Sequence, residues 1–295
     1  MIGLKYKKGS VKMKKINNKE YYEERPLYGV NNVIVDDCYF SSEKDGESAF
    51  KEARDVVVIN SRFSMRYPFW HTSNFKITDS SIDELTRAAI WYAKNGSISN
   101  TVIKGVKCLR ESRNINFIDC NIVSAEFGWK NDTIEIDNCD IEGEYQFFDS
   151  KNIKINNLRM QGKYSFQYVD NMEMIDSVLD TKDAFWHSKN VVVRNTRIKG
   201  EYLGWYSKNL TLINCEIIGT QPLCYCENLL LIDCKMVDAD LSFEYSEVNG
   251  NVIGKIDSIK NGKSGKIIVD EVFSIILGES IMASELVIET LNKKS

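Results

Sequence analysis

The sequence predicts an all-β fold, a parallel β-helix in which about eleven coils, mostly of 19 residues, stack into one solenoid. Three observations predict it. First, the chain repeats itself: NVVVRNTRIKGEYLGWYSK (190–208) follows NMEMIDSVLDTKDAFWHSK (171–189) and precedes NLTLINCEIIGTQPLCYCE (209–227). Second, the ninth position of this template is apolar in every copy, from Phe40, Phe63, Ile82 and Ile103 to Ile217 and Met236. From Ile103 onward each step is 19 residues, and the earlier steps are 23, 19 and 21. Third, the sixth position is Asn or Asp in all eleven copies, from Asp37 and Asn60 to Asn214 and Asp233.

Asn and Asp tolerate positive φ and bond to nearby backbone, so a fixed Asn/Asp marks a turn. Stacked in register, such side chains form amide ladders. The runs between the turns are short and β-rich, as in VVVIN (56–60), and lack the amphipathic period of a helix. Three short strands per coil, paired coil to coil at about 4.8 Å, give eleven coils a length of roughly 50 Å. A leucine-rich repeat would need a Leu-x-x-Leu-x-Leu consensus, which the sequence lacks.

Taken in order, residues 1–15 carry six Lys and no acid and read as a solvated terminus. Residues 16–29 are expected to lie over the first coil, because an open β-helix end exposes strand edges. Arm and cap thus span 1–29, and the β-helix spans 30–250. The first coil carries an insert, SSEKDGES (41–48), and the third a two-residue insertion around Glu84–Arg87. After Met236 the repeat fades. NVIGKIDSI (251–259) and GKIIVDEV (265–272) then read as strands of a C-terminal cap, 251–295, that continues or closes the sheet. The last 15 residues are expected to form a short helix. All of this fits one domain.

Composition excludes several function classes. A net charge of −4 gives no basis for general nucleic-acid binding. No apolar run approaches the ~18 residues of a membrane span. The N-terminus lacks the apolar core of a signal peptide, so the expected location is cytoplasmic. Of eight cysteines, Cys38, Cys120, Cys139, Cys215 and Cys234 fall at the seventh template position, where five other coils use Ser61, Ser80, Thr101, Ser177 and Thr196. That reads as an inward stack of small residues rather than disulfides. Cys224 and Cys226 are spaced C-x-C, and no C-x-x-C occurs, so neither a metal site nor a cofactor is expected.

The third strand, template positions 13 to 17, carries the chemistry. It reads YPFWH (67–71), AAIWY (88–92), KCLRE (107–111), EFGWK (126–130), YQFFD (145–149), YSFQY (164–168), DAFWH (183–187), YLGWY (202–206), QPLCY (221–225) and DLSFE (240–244). Position 17 holds no aliphatic residue, so it is read as facing outward. Strand alternation then turns positions 13 and 15 outward as well. The outer face would present Tyr145, Phe147, Tyr164, Phe166, Tyr168, Asp183, Phe185, His187, Tyr202 and Tyr206. Trp70, Trp91, Trp129, Trp186 and Trp205 would point inward, and so would Arg110, which would need a partner.

Aromatic faces stack on sugar rings, and polar groups beside them supply directional hydrogen bonds. The expected binding residues are therefore Tyr145, Tyr164, Phe166, Tyr168, Phe185, Tyr202 and Tyr206. Stacked tyrosines also suit a plain solenoid surface. Glu111, Lys130 and Asp149 lie one coil apart each and form one catalytic candidate group. Their two carboxylates would sit about 10 Å apart, slightly beyond the range of inverting glycosidases. Alternating charges on adjacent strands would equally just attract. His187 is the other candidate acid or base. Asp183, on the same strand face, would lie some 13 Å from it, too far for a direct dyad.

GESAFKEARD (46–55), RYPFWH (66–71), TRAAIWY (86–92), KDAFWHSKN (182–190), EYLGWYSKN (201–209), LSFEYSEV (241–248) and SGKIIVDEV (264–272) resemble a bacterial family of right-handed parallel β-helix proteins of unknown function. The resemblance runs from about residue 20 to 275. It implies the handedness and a pectin-lyase-like superfold, and it brings no activity. Related folds host pectate lyases and polygalacturonases, but the calcium-binding Asp cluster and the Asp-Asp pair of those enzymes are not recognisable here.

The leading expectation is a carbohydrate-binding or carbohydrate-modifying β-helix that uses the face around Tyr145–Tyr206. An enzymatic version would be a polysaccharide or uronate lyase or a glycoside hydrolase. The alternative is a non-enzymatic scaffold whose aromatic face docks a protein or a second copy of the chain, since exposed apolar strips mark interfaces. The expected partner is a saccharide, with neither nucleic acid nor membrane.

Overall fold

The structure, a computed structural model, describes residues 13–44 and 46–291. The expected parallel β-helix is present, with about fifteen turns rather than eleven. A first sheet stacks strands such as Asp170–Ile175, Lys189–Arg194 and Lys208–Ile213. A second sheet stacks Val178–Lys182, Arg197–Lys199 and Glu216–Ile218. All these pairings are parallel and hold the 19-residue register, as in Met172↔Val191↔Leu210 and Leu179↔Ile198↔Ile217.

Paired strands begin at Lys14 and end at Thr290, so the register runs past residues 30 and 250 at both ends. Glu247–Lys260 and Ser264–Ile276 are further turns of the same solenoid. Where a C-terminal helix was expected, Val287–Thr290 form a strand. Most of the basic arm, 1–12, and the last four residues, 292–295, lie outside the described residues.

The corners confirm the Asn/Asp reading. At the sixth position Asn195 has φ +50° and Asn214 +51°. Asn195 Nδ2 donates to Asp176 Oδ1 at 2.9 Å, and Asn214 Nδ2 donates to Asn195 Oδ1 at 3.0 Å. A second ladder runs in segments along the first position: Asn171 donates to Asn152, Asn228 to Asn209 and Asn209 to Asn190, while Asn190 itself donates to the adjacent Asp170. The seventh-position cysteines are free and buried, as expected. Their stack does more than fill space, because several side chains of this column accept the amide of the coil before. Ser61 Oγ accepts from Cys38 N at 3.1 Å, and Cys139 Sγ accepts from Cys120 N at 3.4 Å.

The third side departs from the expectation of a strand. Up to Glu111 only positions 13 and 17 are left-handed, as Tyr67 and His71, two-residue strands pair at Ile90–Trp91 and Leu109–Arg110, and the amides of positions 13, 15 and 17 point to the next coil, as Phe69 N to Ala89 O. From Glu126 onward, left-handed residues alternate with ordinary ones: Tyr145, Phe147 and Asp149 have φ of +56°, +59° and +52°. The amides then alternate in direction. Tyr145 N donates upward to Lys163 O, Phe147 N downward to Phe127 O, and Asp149 N upward to Gln167 O. The reversal starts at Gly128 (φ +85°), where a Cβ would stand 2.8 Å from the Phe147 ring. A left-handed non-glycine residue costs roughly 1–2 kcal/mol. Inter-coil bonding and burial of the next side chain offset that cost.

Strand alternation therefore does not apply here. Positions 14 and 15 both point inward, position 17 points outward, and position 13 lines the outer face with varying depth. Phe147, Phe166 and Phe185 are fully buried and stack at 5.1 and 5.2 Å, which corrects their outward assignment. The tryptophans, expected inside, lie half-exposed at position 16. Arg110 is likewise half-exposed and needs no buried partner.

Two substitutions test this architecture by urea denaturation. Asn195→Val should destabilise by about 2 kcal/mol or more, from left-handed strain plus lost ladder bonds, and Asn195→Gly by about 1 kcal/mol from the bonds alone. Phe166→Ala should cost about 3–5 kcal/mol as a core truncation. A change below about 0.5 kcal/mol would return Phe166 to the surface.

Candidate functional site

The third side carries two outer columns of the predicted residues. At position 17, Tyr168, His187, Tyr206 and Tyr225 stack in sequence at 5.0, 4.9 and 4.7 Å, with rings within 10° of parallel. Tyr245 continues the column at 5.8 Å. Glu244, expected in that column, is displaced by one residue, because Tyr225 N bonds Glu244 O and Tyr245 takes the outward place. At position 13, Tyr145 stacks on Tyr164 at 4.7 Å, followed by Asp183 and Tyr202. Between the columns the indole N–H groups of Trp129, Trp186 and Trp205 donate to the carbonyls of Tyr145, Tyr202 and Gln221 at 2.6–2.8 Å.

This stacking limits what the aromatic face can do. A sugar ring docks on an open ring face. In the Tyr168–Tyr225 column the inner faces are covered by neighbours about 5 Å away, so ring edges and hydroxyls are what solvent meets. Phe166 and Phe185 are removed from the surface altogether.

The catalytic candidates are not brought together. Glu111 bonds the Nε of Arg110 at 3.1 Å rather than reaching Lys130. Burial pushes its carboxyl up, but the hydrogen bonds from Tyr92 and Arg110 outweigh this and hold it below the usual range. It is therefore an ionised acceptor and not a proton donor at neutral pH. Among the described residues, no ion pair joins Glu111, Lys130 and Asp149. Asp183 is buried at position 13, and desolvation raises its carboxyl, with Lys182 acting against the shift. His187 belongs to the other column, with Trp186 between them in the chain. No cluster of metal-ligating side chains occurs among the described residues.

The longest run of concave surface among the described residues lies on the first sheet, and a separate hollow of about 350 Å³ lies on the second sheet around Val123, Glu142 and Gln161. An open groove of about 580 Å³ is lined by Asn74, Lys76, Asn95, Ser97, Asn116 and Glu135, among others. It meets a second groove of about 410 Å³ at Glu135, which continues over Lys154, Asn156, Glu173 and Arg194. A smaller hollow of about 190 Å³ adjoins both, at Thr133, Asn152 and Asn171. From Asn32 to Val192 these hollows cross nine strands, a length of roughly 40 Å.

The first-position amide ladder forms one edge of the groove. Glu135, Lys154 and Glu173 succeed one another strand by strand, yet make no ion pair among the described residues. Elsewhere on the rod, neighbouring charges do pair, as Arg159 with Asp140 and Arg197 with Glu216. Sequence reasoning passed over this face because its third and fifth positions vary from coil to coil. The signal present was the change from apolar Ile34 and Val57 to polar Lys76, Ser97, Asn116, Glu135, Lys154 and Glu173 along the third position.

Solved structures with a coarse likeness include a double mutant of the periplasmic alginate epimerase AlgG, at 10% identity and TM-score 0.29, covering 88% of this chain and 77% of that one. PfbA, a surface adhesin of Streptococcus pneumoniae, matches at 10% identity and TM-score 0.34, covering 90% of this chain and 85% of its own. The A-module of the mannuronan C-5 epimerase AlgE4 of Azotobacter vinelandii matches at 9% identity and TM-score 0.32, covering 92% of this chain and 88% of its own. At these scores the likeness carries no argument about function. No curated protein sequence matches the chain. A family model does match, over residues 14–289, and the chain belongs to that family, described as protein of unknown function DUF3737.

Proposed function

We propose that this protein binds an extended saccharide chain along the groove of the first sheet. The observation that supports this most is the groove itself, an open trough of roughly 40 Å bordered by amide-ladder segments at Asn74–Asn95–Asn114 and Asn152–Asn171. A saccharide offers hydroxyl donors and acceptors at every residue. Asn and Ser side chains answer both, and Lys154, Glu135 and Glu173, which make no ion pair among the described residues, add charge-assisted bonds. A rigid rod also holds these groups in place before binding, which lowers the ordering cost. The aromatic columns serve this reading as structure, by locking coil to coil on the opposite side of the same turn.

A second reading is the non-enzymatic scaffold. It is favoured by the exposed edge of Tyr168 and Tyr206, which are 48% and 45% exposed. The two readings separate cleanly. A thermal-shift panel of neutral gluco-, xylo- and N-acetylglucosamine hexasaccharides should stabilise the protein by roughly 2.7 kcal/mol at 100 times the dissociation constant. The double variant Asn116→Ala, Lys154→Ala should lose affinity at least tenfold with its melting temperature unchanged, while Tyr168→Ala, Tyr206→Ala should bind as the parent does. Silence across the panel, together with a change in oligomeric size of the tyrosine variant by light scattering, would replace the saccharide reading with the scaffold.

A further inference from the structure

A further hollow lies at a corner of the coil, outside the groove and at the early, His71–Tyr92 end of the outward aromatic column. It measures about 400 Å³ and is lined by Glu52, Arg54, His71, Ser73, Tyr92 and Lys94. That volume lies within the ~300–1,000 Å³ of small-ligand sites. It sits at the corner where the third side turns into the first sheet.

Its origin is a gap in a column. Arg54, Ser73 and Lys94 occupy the same template position on three successive strands, paired Arg54↔Ser73 and Ser73↔Lys94. Later in the same column long charged side chains follow one another and pair, with Arg113 and Lys151 both 3.6 Å from Asp132. Ser73 is short. It leaves a notch with an arginine on one side and a lysine on the other, their backbones two strand spacings, or about 10 Å, apart. Among the described residues neither cation makes an ion pair.

The remaining wall is polar and fixed. The His71 ring stacks on Tyr92 at 5.1 Å and beside Trp70 at 5.8 Å, so its orientation is set. The Glu52 carboxylate accepts from the Tyr28 hydroxyl at 2.8 Å and keeps further acceptor capacity toward the notch.

Two cations that make no ion pair among the described residues, set around a small gap, call for an oxyanion. A guanidinium binds a carboxylate or phosphate through two parallel hydrogen bonds, and an ammonium adds a point charge. A bare anion would leave Glu52 facing like charge. A sugar that carries the anion solves this, because its hydroxyls donate to Glu52 and accept from Ser73 and His71. We propose that the notch binds the oxyanion of an acidic sugar, either a uronate carboxylate or a phosphate ester.

The notch lies just across the amide ladder from the groove, since Arg54, Ser73 and Lys94 directly precede Asp55, Asn74 and Asn95. The proposal thus rests on the saccharide reading and adds that the saccharide is acidic. Calorimetric titration of the whole chain at low salt, with galacturonate, glucose 6-phosphate, galactose and inorganic phosphate, tests it. The expected result is binding of one acidic sugar at least tenfold tighter than galactose, weakened at least tenfold in Arg54→Ala, Lys94→Ala. The better of galacturonate and glucose 6-phosphate identifies the anion.

Both residues are exposed, so the variant should melt as the parent does. As a control that separates the two readings, neutral hexasaccharide binding in the groove should be untouched by this variant. Equal binding of acidic and neutral sugars, or of acidic sugar to parent and variant, would overturn the notch while leaving the groove standing. Tight binding of inorganic phosphate with no sugar bound would overturn the acidic-sugar assignment.

Discussion

The structure depends on register between coils. Every turn must place its corner residue directly above the one before, because the backbone pairs almost entirely with neighbouring turns rather than within its own. A one-residue slip would turn the core face of each strand to solvent. The Asn and Asp corners enforce this register twice over. They adopt the left-handed conformation the turn needs, and their amides bond the same residue one coil away, as Asn195 does with Asp176 and Asn214. The seventh-position Ser, Thr and Cys side chains add a buried counterpart by accepting the turn amide of the coil before.

From that constraint the three sides acquire different roles. Two are ordinary parallel sheets. The third, from Glu126 onward, is a ribbon of alternating handedness whose amides point up and down in turn. The flipped peptides expose carbonyls at position 13, and the tryptophans of position 16 answer them from the next coil down. Tyrosine and histidine at position 17 then stack ring on ring. The aromatic side is thus explained by coil-to-coil cohesion, and the third position of the first sheet, at Glu135, Lys154 and Glu173, is left with charges that among the described residues make no ion pair.

The repeat, the corners, the buried thiols and the all-β class were legible in the sequence because each follows from a residue type recurring at one offset. The orientation of the third side was not. Alternation in and out presumes one backbone conformation throughout, and nothing about Tyr145 or Phe147 as residue types announces φ near +55°. Gly128 and Gly204 were the faint markers, standing at position 15 where the next coil's Phe147 and Leu223 press close. That misreading placed Phe166 and Phe185 outside and the tryptophans inside. The groove was illegible for the opposite reason. Its residues differ from coil to coil, and only the folded register sets Lys76, Asn116, Glu135 and Lys154 in one line.

The most direct test of the account is where a bound chain lies. A neutral hexasaccharide bearing a photoreactive group would be cross-linked to the protein and the modified peptides mapped by mass spectrometry. The account predicts labels on first-sheet segments around Asn95–Ser97, Asn114–Asn116, Glu135 and Lys154. Labels concentrated on Tyr168, His187, Tyr206 and Tyr225 would contradict it and make the aromatic edge the binding surface.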